Sequence, residues 1–119
     1  MGKINSRRKG KTGELEAAHF LSRWFKARRG QQFKGSADSP DVIFDNKEIA
    51  KLLHVEVKRN EALNLEKAWQ QANDEAPLTA WPIVLHRKNR TKWKVTIDAE
   101  DFMELFYQWY MWGEGRTNV

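Results

Sequence analysis

Cysteine is absent from this chain of 119 residues, and proline occurs only three times. Without cysteine there can be no disulfide framework and no thiolate-bound zinc. The three histidines are scattered, and their spacing matches no zinc site. No apolar run approaches the ~20 residues that a membrane span needs, and no charged segment followed by an apolar one opens the chain. These absences predict a soluble cytoplasmic protein without a membrane segment.

What is present fits one small basic domain. Hydrophobic residues make up 40% of the chain, and 21 basic side chains outnumber 16 acidic ones to give a net charge of +5. This length supports one hydrophobic core but not two. A basic excess favours a polyanionic partner without establishing one. We expect a basic arm over residues 1–12, a single domain over 13–112 and a tail over 113–119.

The first thirteen residues contain no acidic side chain. A mobile basic arm of this kind attracts phosphates, although a disordered solubilising tail has the same composition. The candidate DNA contacts in it are Arg7, Arg8, Lys9 and Lys11.

The middle of the chain carries an alternating segment at residues 54–58. A strand there turns Val55 and Val57 toward the core, because successive side chains point to opposite faces. The other face then carries His54, Glu56 and Lys58. The alternative is a surface strand whose polar face is simply solvated.

A second carboxylate precedes the apolar run at residues 42–44. Asp41 can lie beside Glu56 if the two strands pair. Two close carboxylates repel each other, more so when buried, and therefore need a cation between them. Oxygen ligands favour a hard ion, Mg²⁺ with Mn²⁺ as a substitute. Lys58, on the face of Glu56, would lie near the metal-bound water or the substrate phosphate.

Thr12 is a plausible N-cap for a helix over residues 13–28. Glu14 falls within the apolar stripe of that helix, whereas Glu16 falls on the wet side. Glu14 could complete the metal site, or it could only interact favourably with the helix dipole. The stripe itself comprises Leu15, Ala17, Ala18, Leu21, Trp24 and Phe25.

The order of these motifs resembles the PD-(D/E)xK nuclease superfamily, and within it the archaeal-type Holliday junction resolvases and related small phage nucleases. The resemblance is carried by the segment 9–14 opening a helix, by Gly35-Ser36 before Pro40-Asp41, and by Glu56-Val57-Lys58. It implies that Asp41, Glu56 and the Val57 carbonyl ligate the metal. It also implies that a glutamine on the helix after Lys58 belongs to the active site, and that Ser36 contributes to the same site.

The second half of the chain supplies that glutamine and a basic hairpin. Asn64 can cap a helix to about Ala76, in which Gln71 lies nearer the apolar face than Gln70 does, although a solvated position is equally open. Residues 83–85 and 93–97 read as strands around a turn at 88–91. The hairpin's basic side chains could grip phosphates or protect a sheet edge. The candidate contacts are Arg87, Lys88 and Arg90.

Asp98 can cap a last helix whose residues 102–112 are apolar almost all round. It is too short to span a bilayer, so we expect protein to bury it. A four-way junction has two symmetry-related strands to cut, which requires two active sites. The aromatic side chains of this helix therefore predict a homodimer, unless the helix is buried against its own sheet.

The resulting expectation is an α/β domain of the restriction-endonuclease-like fold, with a central mixed sheet flanked by helices in the order α-β-β-β-α-β-β-α. The expected activity is Mg²⁺-dependent hydrolysis of DNA phosphodiesters by a Holliday junction resolvase. Three alternatives remain. They are a nuclease acting on other DNA structures or nicking, a non-catalytic DNA-binding module, and a structural protein organised around the last helix.

Overall fold

The computed structural model describes residues 2–30 and 40–113. They form a five-stranded sheet with strands in the spatial order β1-β2-β3-β4-β5. The strands are β1 (Ala27–Arg29), β2 (Val42–Phe44), β3 (Leu53–Lys58), β4 (Trp81–His86) and β5 (Lys94–Thr96). The helices are α1 (Gly2–Leu21), α2 (Lys47–Leu52), α3 (Leu65–Glu75) and α4 (Ala99–Trp112).

The sheet is mixed, as predicted. β1, β2 and β3 form an antiparallel meander, and β4 and β5 form an antiparallel hairpin. β3 and β4 run parallel, because α3 returns the chain to the starting end of the sheet. A mixed sheet with helices on its faces is the predicted restriction-endonuclease-like architecture.

The expected element order omitted one helix. The polar join between β2 and β3 contains α2, which begins where the Asn46 side chain accepts hydrogen bonds from the amides of Glu48 and Ile49. An asparagine at this position satisfies amides that have no partner within the helix. The helix spaces the strands without disturbing their pairing, in which Val42 lies opposite Val55.

The alternation of β3 distributes the core over two faces of the sheet. Val55 and Val57 contact Ala17 and Ala18 of α1 within the larger buried cluster. On the opposite face, Val84 packs against Ala68 and Ala72 of α3 in a smaller cluster. Alanine on both helices allows a close approach to the sheet, so the polar side chains on the α3 face of β3 lie beneath a helix and not in solvent.

α1 differs from its prediction at both ends. It begins at Gly2, so the cap predicted at Thr12 is wrong and the basic segment predicted as a mobile arm has helical backbone from residue 2 onward. Lysine and arginine are good helix formers, which accounts for the extension. It ends at Leu21, because the Ser22 hydroxyl donates to the Ala18 carbonyl and accepts from the Ala27 amide, turning the chain into β1.

The apolar stripe predicted for α1 is only partly correct. Ala17 and Ala18 are buried, and Leu21 packs against the core. Leu15, Trp24 and Phe25 are about half exposed or more, and the last two lie beyond the helix end. The prediction of the stripe assumed a rotation of 100° per residue up to residue 28. The helix ends at Leu21, so the rotation does not apply to the residues after it.

Three other boundary signals are confirmed. The Asn64 side chain accepts from the Lys67 amide and caps α3. The β4–β5 turn closes where the Thr91 amide donates to the Lys88 carbonyl, and Asp98 caps α4 by accepting from the Glu100 amide. At the two helix starts a side-chain oxygen accepts from an amide that has no partner within the helix, and at the turn one backbone hydrogen bond closes the hairpin.

α4 is not covered by the rest of the domain. Within the described residues none of its side chains is buried, and the expectation that protein buries this helix is not met inside the single chain. The large apolar side chains that it exposes are Phe102, Met103, Phe106, Tyr107, Trp109, Tyr110, Met111 and Trp112. None of the helices in the described ranges is long and apolar enough to cross a membrane.

Gly30 should prove necessary for the pairing of β1 with the start of β2. A Cβ added there would overlap the Pro40 carbonyl oxygen, because the Gly30 amide donates to the Asp41 carbonyl at 2.8 Å. We expect Gly30→Ala to lower the free energy of unfolding by about 1–3 kcal/mol in urea denaturation. Gly10→Ala is the matched control, since nothing lies within 4 Å of its added Cβ. It should leave stability unchanged or raise it by up to ~1 kcal/mol, and equal effects would contradict the packing explanation.

Candidate active site

Two carboxylates, one at the start of β2 and one in β3, lie beside each other. Asp41 immediately precedes β2 and is 6% exposed, and Glu56 lies in β3 and is 1% exposed. The Asp41 amide donates to the Val55 carbonyl at 2.9 Å, and its Oδ2 accepts from the Val57 amide at 2.8 Å. The strand pairing thus fixes the Asp41 side chain beside Glu56.

α1 brings a third carboxylate to this pair. Glu14 is part-buried, and its Oε1 accepts from the Arg29 guanidinium at 2.7 Å. Burial raises the pKa of Glu14, and the nearby Asp41 carboxyl raises it further, whereas Arg29 lowers it. Arg29 lies in β1, so the first strand orients the acid that the helix carries.

The ionisation of the central pair reflects its crowding. Burial raises the pKa of Asp41 to about 7, with repulsion from Glu56 as the next cause. Burial likewise raises the pKa of Glu56 to about 8, with the Glu75 carboxyl as the next cause. Lys58 lowers both pKa values but does not offset the desolvation.

This donor set fits a divalent cation. The carboxyl groups of Glu14, Asp41 and Glu56 supply hard oxygen ligands, which suit Mg²⁺ or Mn²⁺. Within the described part of the chain, Glu56 Oε1 is buried without a hydrogen-bond partner, a costly arrangement that a cation would relieve. The residues present therefore match the requirements of a metal site.

Lys58 and Gln71 are also brought together. Lys58 follows Glu56 on the same face of β3, and its Nζ donates to Gln71 Oε1 at 3.1 Å. The Gln71 amide nitrogen in turn donates to Glu75 Oε1 at 3.3 Å, one helical turn along α3. Gln70 instead donates to Asp74 at 2.8 Å, on a different side of α3.

Two residues at this site were not predicted. His54 is 3% exposed, and its Nε2 lies 3.4 Å from Glu56 Oε1. Possible ligand atoms of His54, Glu56 and Glu75 all lie within 4.8 Å of one another. The signals were available, because His54 shares the polar face of β3 and Glu75 follows Gln71 by four residues. Their spacing matches no zinc-site pattern, and the three side chains meet only because α3 packs on β3.

Glu16, predicted on the wet side of α1, keeps 33% of its side chain exposed but is bound by two arginines. Its Oε1 accepts from Arg59 at 3.3 Å and from Arg87 at 2.8 Å, joining α1 to the residues after β3 and β4. The Arg87 guanidinium also lies over the Trp93 ring, 5.7 Å from its centroid. Arg87, predicted as a DNA contact, is therefore engaged within the protein.

The remaining predicted DNA contacts fall into two groups. Lys11, Lys88 and Arg90 have exposed side chains, and Arg90 adopts a left-handed backbone with φ of 62° at the tip of the hairpin. Ser36 and the side chains of Arg7, Arg8 and Lys9 lie outside the described residues.

The crowded carboxyls should make the ion-free protein less stable as pH rises. Because the folded-state pKa values of Asp41 and Glu56 exceed the unfolded ones, the folded state binds more protons between about pH 4 and pH 8, and stability is lost across that range. We expect the free energy of unfolding in chelator to fall by several kcal/mol, up to roughly 7, from pH 5 to pH 8.5. Asp41→Asn and Glu56→Gln should flatten that fall, whereas Glu48→Gln on the exposed α2 should not. If the stability of both site variants fell with pH as steeply as that of the wild type, the raised pKa values of Asp41 and Glu56 would be contradicted.

The comparisons with known proteins agree with this geometry. A family model described as "Phage putative PDDEXK endonuclease" matches residues 5–113. No curated protein and no solved structure matches the chain. The family match covers the helix that carries Glu14, the two strands that carry Asp41 and Glu56, and the basic hairpin. The chain belongs to this family of phage PDDEXK endonucleases, and is thus a nuclease of the PD-(D/E)xK superfamily.

Proposed function

We propose that this nuclease is a divalent-metal-dependent endodeoxyribonuclease that cleaves branched DNA, with the four-way Holliday junction as its substrate. The main support for a catalytic activity is the buried pair of Asp41 and Glu56, with Lys58 on the same face of the sheet. Such a pair is costly unless a cation and a phosphate use it. We propose that this reaction takes place in the cytoplasm.

The proposed ligands of the metal are Asp41, Glu56 and the Val57 backbone carbonyl, with Glu14 contributing directly or through water. Mg²⁺ is the proposed ion and Mn²⁺ its substitute. When bound, the ion would activate a water molecule and neutralise charge on the scissile phosphate. Arg29 holds Glu14 in place, and the Val57 amide holds Asp41. The protein thus presents acids whose positions are set before substrate arrives.

Lys58 and Gln71 are proposed to act on the phosphate side of the site. Gln71 accepts from the Lys58 ammonium and holds it on the Glu56 face of β3. From there the ammonium would orient the attacking water or stabilise the negative charge of the pentacoordinate phosphorane. The expected products carry 5′-phosphate and 3′-hydroxyl ends.

The DNA backbone is proposed to contact the basic side chains of α1 and of the β4–β5 hairpin. Lys11, Lys88 and Arg90 are exposed and free to meet phosphates, whereas Arg87 would chiefly support the hairpin through Glu16. Phosphate contacts position a duplex but do not read its sequence. The protein would therefore recognise the shape of the DNA backbone and not its base sequence, as expected for a branched substrate. Arg7, Arg8, Lys9 and Ser36 complete the proposed set.

Removal of either central carboxylate should abolish cleavage. We expect Asp41→Asn and Glu56→Gln to lower the single-turnover rate with Mg²⁺ by at least about two orders of magnitude. DNA affinity should be kept or increased, because each change removes a negative charge from beside the phosphate. The substrates would be four-way junction, flap, single-stranded and linear duplex DNA, each with and without Mg²⁺. Glu48→Gln is the control and should cleave at the wild-type rate.

Three other results would each change the proposal. Metal-dependent cleavage retained by both purified variants would refute the site. Loss of cleavage together with equal wild-type rates on all four substrates would keep the site and replace junction resolution by a less selective endonuclease. Binding without any metal-dependent cleavage by the wild type would favour a non-catalytic DNA-binding module.

A homodimer through α4 is proposed from the exposure of that helix. Phe102, Phe106 and Trp109 form a continuous aromatic stripe, with ring centroids 6.5 and 5.7 Å apart. The six aromatic side chains of α4 together expose roughly 600 Å² at about 200 Å² each and half exposure, much of the ~800 Å² per partner in a stable interface. A second copy of this chain would cover them isologously and present two active sites.

The dimer can be tested separately from catalysis. Trp109→Glu with Trp112→Glu should convert a dimer into folded monomers that no longer cut both strands of a junction symmetrically, since charge at the interface centre opposes burial. Analytical ultracentrifugation at micromolar concentration measures whether the protein is a monomer or a dimer. Gln108→Glu, on the polar side of α4 beside Glu104, adds charge without removing an aromatic side chain and should leave the dimer intact. A monomeric wild type would refute the interface and favour a nicking nuclease.

A further inference from the structure

A second group of ligand atoms adjoins the proposed catalytic metal site. His54 and Glu56 lie two residues apart on the α3 face of β3, and Glu75 reaches them from the last turn of α3. Possible ligand atoms of the three side chains lie within 4.8 Å of one another. None of the nuclease roles proposed for the chain uses His54 or Glu75.

The spacing of these atoms suits a shared ion better than a hydrogen bond. His54 Nε2 and Glu56 Oε1 are 3.4 Å apart, beyond the usual N–H···O range of about 2.7–3.2 Å. Two ligand atoms that each lie about 2.1 Å from one ion are separated by about 3.0–3.4 Å at octahedral or tetrahedral angles. The pair therefore has the separation of neighbouring ligands.

An independent observation points to a missing cation. Glu56 is 1% exposed, and its Oε1 has no hydrogen-bond partner among the residues that the structure describes. A buried carboxylate oxygen with no donor is strongly destabilising, whereas a metal ion would satisfy it. This oxygen is the one that faces His54.

We propose that His54, Glu56 and Glu75 form a second divalent-cation site, the His54 site, which binds a transition ion such as Mn²⁺ or Zn²⁺ and excludes Mg²⁺. The imidazole nitrogen provides the selectivity, because Mg²⁺ prefers oxygen ligands and keeps much of its water, whereas Mn²⁺ and Zn²⁺ accept histidine. Glu56 bridges this site and the one at Asp41. The His54 site rests on the proposed function only because Glu56 is a ligand in both sites.

Counting bound ions tests the proposal without measuring cleavage. In chelator-stripped full-length protein, electron paramagnetic resonance of Mn²⁺ should show two bound ions per chain. Glu75→Gln and Asp41→Asn should each retain one, and Glu56→Gln none. Glu75 is only part-buried, so its isosteric amide is expected to fold. Asp74→Asn is the matched control, since Asp74 neighbours Glu75 on α3 but contacts Gln70, and it should retain two.

Nuclear magnetic resonance of the histidine rings gives a direct readout. The chain has three histidines, so the rings of His19 and His86 serve as internal references. Zn²⁺ should shift the His54 Nε2 resonance in the wild type and in Asp41→Asn but not in Glu75→Gln, and Mg²⁺ should shift it in none of them.

The outcomes separate this site from the catalytic one. A single Mn²⁺ that is lost in Asp41→Asn, two ions retained in Glu75→Gln, or a His54 resonance that Zn²⁺ leaves in place would overturn the His54 site while the nuclease assignment stands. A single Mn²⁺ that is lost in Glu75→Gln but kept in Asp41→Asn would support the His54 site and remove the metal assignment at Asp41.

Discussion

Electrostatic repulsion among buried carboxyls is the constraint around which this small domain is built. Glu14, Asp41, Glu56 and Glu75 come from two helices and two strand segments and form a continuous series beside the sheet. Bringing these acids together opposes folding, since burial raises the pKa of Glu14, Asp41 and Glu56 and a neighbouring carboxyl raises each of them further. Hydrophobic packing of α1 and α3 on the two faces must supply the compensating free energy. The site is therefore held by the fold, and does not itself hold the fold together.

The strands position the acids more firmly than the helices do. Asp41 is fixed by backbone hydrogen bonds at both its amide and its side chain, and Glu56 has a neighbouring strand on each side. Glu14 and Glu75 are held through side chains, by Arg29 and by Gln71 respectively. The outer two acids are therefore less firmly placed than the inner two, whose positions are set by the sheet.

Sequence reasoning recovered the parts of this arrangement that depend on local patterns. The alternation at residues 54–58 predicted the face of Glu56, and Asn64 and Asp98 marked helix starts correctly, because strand period and capping act over a few residues. The extent of α1 and the roles of Glu16, His54 and Glu75 were missed. Each depends on contacts between residues distant along the chain, or on their absence, which periodicity does not reveal.

The join between β1 and β2 has a consequence for how this family can vary. Gly30 and Asp41 are hydrogen-bonded neighbours, although nine residues separate Gly30 from Pro40 along the chain. The free-energy cost of closing a stretch of chain between two neighbours grows only with the logarithm of its length. Natural selection could lengthen, shorten or rewrite this stretch while Asp41 stays in register with β3. Sequence changes confined to this stretch would therefore leave the backbone hydrogen bonds of Asp41 in place.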